Sequence, residues 1–489
     1  MRLLDDLAKD LAYAARILRK KPAFAIAAVL TIALGIGAST AIFSVTDGVL
    51  LRPLPYRNSR RLALANEPLS NACFYDLRDG AGPAFEDMAA MMVFRAVVPR
   101  EDGTAERISK GLITTNFFRL LGARIVLGRD FAEADGKPNG PPPPPFPPPQ
   151  GSVAILSYDY FQRRYGADPA VLARAMPGPK GPGPRIVGVL EPGFKLLLPA
   201  RAGSQPSPDV WIANDRGYDE ANRGELMLQV AGVLKPGVTL DRARSQVDRV
   251  AAAWRTVRLR VHLESWHKAL AAEVRPAILA IMGAAIFLLL IACANTANLL
   301  LVRVSWSERE LAMRAALGAR TGRLTRQMLA ESLLLCGLGT LLGIGLAWAG
   351  IRELLALAPP DVPRLEATSI DWRVLAFAAL AGGVECFTLG VLPGWRIARP
   401  DIMQVLRRAG RTAPMGMSGV VVAEVALAFV LLVGSGLMFR SYFELLHVDP
   451  GYNPHGLLTF LTVGDAQGFQ QPQRRLAFLR ELQGRLRAI

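Results

Sequence analysis

The stretch PAFAIAAVLTIALGIGASTAIFSVT, residues 22–46, runs through 25 positions without one charged side chain. A helix needs about 20 apolar residues to cross roughly 30 Å of hydrocarbon, so this run is long enough to span a bilayer. Working outward, four more runs have the same character. Residues 276–302 and 332–351 carry no charge, residues 374–395 carry only Glu385, and residues 420–439 carry only Glu424. Five membrane helices are therefore expected.

Lysine and arginine in the short flanks set the expected orientation. Segment 1–22 carries Arg2, Lys9, Arg16, Arg19, Lys20 and Lys21. Segment 303–331 carries Arg303, Arg309, Arg314, Arg320, Arg323 and Arg326, and segment 396–411 carries Arg396, Arg399, Arg407, Arg408 and Arg411. The hairpin 352–373 has Arg352, Arg364 and Arg373 against Glu353, Asp361, Glu366 and Asp371. The alternation places the N-terminus, 303–331 and 396–411 in the cytoplasm. Residues 47–275, the hairpin and the tail 440–489 fall outside. The first run could also be a secretory signal, but its apolar part exceeds the usual 7–15 residues and no convincing cleavage site follows. A retained anchor is the expectation.

The chain has 489 residues and a net charge of +16, with 51% apolar and 20% charged residues. Mean hydropathy is +0.26. Topology accounts for most of the positive charge, so nucleic acid is not an expected partner. Of four cysteines, Cys293, Cys336 and Cys386 lie in apolar runs as packing residues, leaving Cys73 without a disulfide mate. The four histidines have no zinc-ligand spacing.

The 47–275 insertion mixes strand-like runs (152–157, 185–190, 209–213, 227–234) with helical patterns at 158–165 and 240–256. Thr239 or Asp241 is placed to cap the second helix. An α+β domain follows. Two proline-rich stretches, 141–149 and 176–185, are read as loop insertions of polyproline character, with docking to an aromatic groove as the other reading.

Several spaced motifs then identify a family. RKKPAFAIAAVLTIALGIGASTAIFSVTDGVLLRPLPY (19–56), TTNFFRLLGARIVLGRDF (114–131), VAILSYDYFQRRYGADPAVL (153–172) and IVGVLEPGF (186–194) come first. ACANTANLLLVRVSWSERELAMRAALGARTGRLTRQMLAESLLL (292–335), LPGWRIARPDIMQVLRRAGR (392–411) and VAEVALAFVLLVGSGLMFRSYFELLHVDPGYNP (422–454) follow in order. Together they resemble the FtsX-like, MacB-type permeases of ABC transporters, in particular the duplicated orphan permeases. The resemblance implies an α-helical membrane protein with an inserted α+β extracytoplasmic domain, the MacB-type periplasmic core, built as two subdomains. It also implies a separate cytoplasmic ABC ATPase that uses the ATP, a permease homodimer or pseudo-dimer, and a place in the bacterial inner membrane. A periplasmic partner is compatible with it. The fifth run would open a second copy whose remainder is missing, so a truncated, inactive product is one alternative. Another is a transmembrane regulator of cell-wall enzymes. The proline-rich stretches and Glu385 depart from the family pattern.

Within 303–331, Leu311, Ala315, Leu324 and Met328 form an apolar stripe, and Glu310 and Arg314 are spaced to pair on a helix. Gly318 is placed to end that helix, with Ala319 and Arg320 beginning the next. The resemblance assigns ATPase coupling to Glu310, Arg314, Leu317, Gly318 and Arg320; a basic interfacial helix on anionic lipid is the other reading. Glu385 and Glu424 are intramembrane acids, either proton-path groups or paired structural ones. Asn295, Thr296 and Asn298 are read as hydrogen-bonding glue between helices. The series Gly337, Gly339, Gly343, Gly345 is read as a close helix contact. No P-loop, G-x-S-x-G elbow or H-E-x-x-H motif occurs. No enzymatic activity and no cofactor of its own are expected.

Overall fold

In the computed structural model, residues 2–100, 104–137, 153–178, 181–199, 207–220, 223–254, 257, 259–316, 321–357, 368–397, 417–449, 451 and 472–487 are described. The chain divides into a helical unit (1–52 and 274–456) and an α/β unit (53–273 and 457–489). The five runs long and apolar enough to cross a membrane all lie in the helical unit.

In the helical unit, α1 (Arg2–Lys20) leads into α2 (Pro22–Thr46), which opens on a proline whose fixed φ suits a first helical turn. A single π-helical turn, Asp47–Leu51, continues α2. The remaining long helices are α8 (Arg275–Ala316), α9 (Thr321–Leu357), α10 (Trp372–Ile397) and α11 (Met417–Leu446). Helix α2 packs against α8, α9 and α10, and small residues set the distance. A Cβ added at Gly343 of α9 would lie 3.0 Å from the Ala33 carbonyl oxygen and 3.2 Å from the Gly37 amide. One at Gly339 would strike Ile32, and one at Gly35 of α2 would strike Ala292 of α8. Gly337 and Gly345 face open space. The close contact read from the glycine series thus uses its two middle members, Gly339 and Gly343. Helix α11 keeps its described side chains exposed along nearly its whole length.

The α/β unit is one ten-stranded mixed sheet. Its strands are β1 (Leu62–Ala65), β2 (Phe85–Pro99), β3 (Ala105–Ile113), β4 (Ile125–Gly128), β5 (Val153–Leu156), β6 (Ala175–Gly178), β7 (Gly181–Leu190), β8 (Val210–Ala213), β9 (Gln229–Leu234) and β10 (Leu263–Ser265). They lie in the order β10-β1-β9-β2-β3-β8-β5-β7-β4, with β6 on β7. The β3–β8 and β5–β7 pairings are parallel and the others antiparallel. Alternation along the strands sorts side chains to two faces. Leu62, Leu64, Met91, Ile113, Ile155, Trp211 and Val233 line one face with Phe117, Phe118 and Trp266. The other face holds two clusters. One lies under α3 (Asn71–Gly80) and α6 (Leu240–Ala252), the other under α5 (Tyr158–Tyr165). Two helix groups, α3 with α6 and α5 by itself, thus cover that face of one continuous sheet.

Two readings change. The 176–185 stretch is not a polyproline insertion: β6 and β7 pair as a hairpin, with Pro177 opposite Pro182. Proline lacks the ladder N–H; Pro177 sits on the short strand β6 and Pro182 at the start of β7, ahead of its pairing with β5 and β4, where that loss is tolerated. The helix expected over 240–256 ends at Ala252, with Thr239 Oγ1 accepting from the Arg242 amide as its N-cap. The 141–149 stretch lies outside the described residues.

Candidate functional site

The sequence places its candidate site between the second and third apolar runs, and the helices there differ from the expectation. The coupling segment is not a short separate helix. Helix α8 runs unbroken over 42 residues to Ala316, and α9 begins at Thr321 and continues over 37. Residues 303–316 contain neither proline nor glycine and are rich in Ala, Arg and Glu, so nothing stops the helix at the end of the apolar run. Helix α8 is about 63 Å long at 1.5 Å per residue, roughly twice the thickness of the hydrocarbon layer. Glu310 and Arg314 both fall on its last turns. Leu317, Gly318 and Arg320 lie outside the described residues. Helix α1 packs on α9 near the same end: Ala14 and Leu18 are buried, and Asp10 pairs with Arg326 at 2.5 Å.

The intramembrane polar residues separate into different kinds. Asn298 Nδ2 donates to Glu424 Oε2 at 3.3 Å, linking α8 to α11. Thr296 is buried but donates to the Ala292 carbonyl of its own helix. Asn295 is exposed, with no hydrogen bond to another helix among the described residues. Glu385, on the inward face of α10, is 1% exposed, and neither carboxylate oxygen has a hydrogen-bond partner. The expected cross-helix pairing of Glu385 is absent among the described residues. Its neighbour Thr388 bonds instead, donating to the Glu385 backbone carbonyl and meeting Cys293 Sγ at 3.3 Å. All four cysteines are free.

At the other end of the helical unit lies a charged cluster. Asp47, in the π turn, has a side chain only 1% exposed. Arg52 Nε donates to its Oδ2 at 2.8 Å, and Arg373 Nη1 reaches its Oδ1 at 3.4 Å. Arg52 Nη2 also donates to Asp371 Oδ2 at 2.8 Å, and both Arg52 terminal nitrogens reach Ser369 Oγ at 3.3 Å. Ser44 Oγ donates to the Ser369 carbonyl at 3.2 Å. Asp371 in turn accepts from the Arg373 and Val374 amides and so caps α10. Burial pushes the Asp371 carboxyl up, but those amides and the Arg52 and Arg373 charges outweigh it and hold it below the usual carboxylate range. Gly48 leaves room for the strand of chain at Thr368: a Cβ there would lie 3.1–3.3 Å from Thr368. Phe43 and Phe377 stack beneath, with ring centroids 4.3 Å apart.

Comparison with known proteins adds the lineage. The FtsX-like permease C-terminal family matches residues 282–402. The MacB-like periplasmic core domain family matches residues 25–250. The chain thus carries the two parts of a MacB/FtsX-type permease, a MacB-like periplasmic core domain and an FtsX-like permease C-terminal region.

This permease is 33% identical over 119 residues to the uncharacterized ABC transporter permease YknZ of Bacillus subtilis, covering 24% of the chain and 28% of that relative. It is 28% identical over 234 residues to the macrolide export ATP-binding/permease protein MacB of Psychrobacter cryohalolentis, covering 46% of the chain and 33% of that relative. The permease thus spans about a third or less of the length of these two relatives. The crystal structure of the periplasmic region of MacB from Actinobacillus actinomycetemcomitans aligns at 10% identity and a TM-score of 0.31, over 44% of the chain and 92% of that structure.

By sequence alone Asp47 and Arg52 fall at the start of the 47–275 insertion, and Arg373 and Asp371 among the hairpin charges. The missed signal is local: an acid and an arginine five residues apart directly after an apolar run. Their partners come from residues more than 300 positions away, and no spacing rule reaches that far.

Proposed function

We propose that this permease converts ATP hydrolysis by a separate cytoplasmic ABC ATPase into movement of its α/β unit on the far side of the bacterial inner membrane. The observation that carries this reading is the unbroken passage of α8 and α9 from their apolar spans into the 303–331 segment. A helix with no break is a stiff rod, so a push on its end reaches the span without an intervening hinge. Glu310, Arg314, Leu317, Gly318 and Arg320 are the residues through which the ATPase would deliver that push. The N-terminus, with Arg16, Arg19, Lys20 and Lys21 exposed beside the first span, belongs on the same cytoplasmic side, against anionic lipid headgroups.

On this reading the permease itself performs no chemistry and binds no cofactor; ATP belongs to the partner. It works as a homodimer, or as a pseudo-dimer with a second permease half. Movement of the α/β unit then expels a substrate or drives a periplasmic partner.

The test is reconstitution of the full chain in phospholipid vesicles with ABC ATPases encoded beside its gene. The reading expects permease-dependent ATP hydrolysis that is lost in Glu310→Lys and Arg314→Glu. Failure of every candidate ATPase to respond, or wild-type response in both variants, would overturn it.

A further inference from the structure

We propose that Arg52 is the positioning residue of a charge-locked joint that binds the far end of α2 to the start of α10, so that the chain enters the α/β unit from two helices held as one. The inference rests on the transport reading above for its purpose, but on its own geometry for its existence.

Residue 52 is the last of the helical unit, and the α/β unit begins at Pro53. Whatever force passes along α2 into the α/β unit must pass through this point. A single helix ending in a π turn would be a poor lever, because that turn substitutes wider i→i+5 bonds for the α ladder, here Arg52 N to the Asp47 carbonyl at 2.8 Å. The cluster corrects the weakness. Arg52 uses its planar fork in two directions, back to Asp47 of its own turn and across to Asp371 and Ser369 at the head of α10. A lysine, with one point charge, could not serve both carboxylates with the same geometry. Arg373 closes the ring by reaching Asp47 from the α10 side. Among the described residues the ring contains two carboxylates and two guanidinium groups, so it is neutral as a set. It has no surplus charge to recruit an anion or a cation, which argues for a mechanical role over a binding one. The surroundings fix its position: Ser44 holds the Ser369 carbonyl, Gly48 admits the chain at Thr368, and Phe43 stacks on Phe377.

The consequence is that α2 and α10 move as one body at this end. Loss of Arg52 leaves the helices intact and the membrane insertion unchanged, but lets the end of α2 swing against the start of α10.

The experiment uses the full-length chain in phospholipid vesicles, with its four native cysteines replaced by alanine and spin labels at Leu51→Cys in the π turn and Leu375→Cys on α10. Both positions are exposed. Distance distributions are recorded by pulsed electron paramagnetic resonance without ATP or any partner, and again with the ATPase and ATP. The expected result is a narrow distribution in the parent, severalfold broadening in Arg52→Ala, and an intermediate width in Arg52→Lys, with helix content by circular dichroism unchanged. Equal widths in parent and Arg52→Ala would overturn the joint. If Arg52→Ala does not fold, Asp371→Asn, which cuts only the arm to α10, replaces it with the same expectation. The partner-free widths read the joint alone, and the ATP-driven shift reads the transport proposal, so either can fail without the other.

Discussion

Asp47 and Glu385 are two acids of the same helical unit, both about 1% exposed, and the molecule treats them in opposite ways. Asp47 sits at a helix end, where the chain can turn and bring arginines from two directions. Glu385 sits midway along α10, where its neighbours are the apolar and small residues of adjacent spans, and neither oxygen finds a partner. The difference teaches that of these two buried carboxylates the one where the backbone leaves the helix is the one that meets arginines. A buried polar group without a partner in an apolar medium carries a cost, which the arginines offset at Asp47. The Asp47 ring is therefore a structural ion cluster, and Glu385 is a side chain that the bundle accommodates.

The comparison breaks most visibly at Arg52. Its replacement by alanine leaves Asp47 buried with only the longer Arg373 contact, and removing one partner of a buried pair costs about 3–5 kcal/mol. Thermal unfolding in detergent should show the largest drop of any single change considered, and a drop no larger than that of an exposed arginine such as Arg95 would refute the contrast. Both acids depend on the α2–α9 seam that positions their helices. Gly343→Val forces a side chain against the Ala33 carbonyl and should cost about 1–3 kcal/mol by overpacking, whereas Gly345→Val, facing open space, should be nearly silent. Equal effects from the two would show that the seam is looser than its distances.

A paired intramembrane acid gives the intermediate case. Asn298→Ala removes the donor to Glu424 and should cost about 0.6 kcal/mol, the typical size of such a bond within a bilayer. Glu385→Gln should be smaller still, within about 0.5 kcal/mol, because no hydrogen bond or ion pair is lost. A large loss of permease-dependent ATP turnover in Glu385→Gln, with stability unchanged, would instead make Glu385 a working group. The gentlest probe is pH. Asp371 lies below its ordinary value, so its contribution is complete above the unfolded carboxylate value of about 3.9 and fades only as pH falls through the lower folded one. Stability of the wild type should hold flat from neutral pH to near 5 and fall below 4, with Asp371→Asn removing part of that fall.

How much of this was legible beforehand depends on the range of each interaction. The strands over 153–156 and 210–213 and the helix from Tyr158 to Tyr165 announce themselves through local alternation and capping, since Ser157 and Thr239 accept the amides that N-caps should. Strands β2 and β3 escaped that reading. Their 15 and nine residues carry Glu86, Asp87, Arg95, Glu106, Arg107 and Lys110 among the apolar ones, and only the pairing from Met91↔Ile113 to Pro99↔Ala105 makes them strands. The proline hairpin misled for the same reason: proline counts against a strand locally, but a margin strand does not need every N–H. For the site, Glu310 and Arg314 were found through resemblance. The Asp47–Arg52–Asp371–Arg373 ring was not found, because two of its members are ordinary flank charges until α10 is laid against α2.

The sequence by itself determined that five runs are long and apolar enough to cross a membrane, that a mixed α/β insertion follows the first, and that the chain resembles MacB/FtsX-type permeases. Those properties are written in runs of neighbours: apolar length, charge in short flanks, motif order. Only the tertiary structure decided which glycines touch, which acid is paired, and where the first span is fastened before the chain leaves it. Each of these is a contact between residues distant in sequence, and its energy exists only once helices from separate parts of the chain stand within a few ångströms of one another.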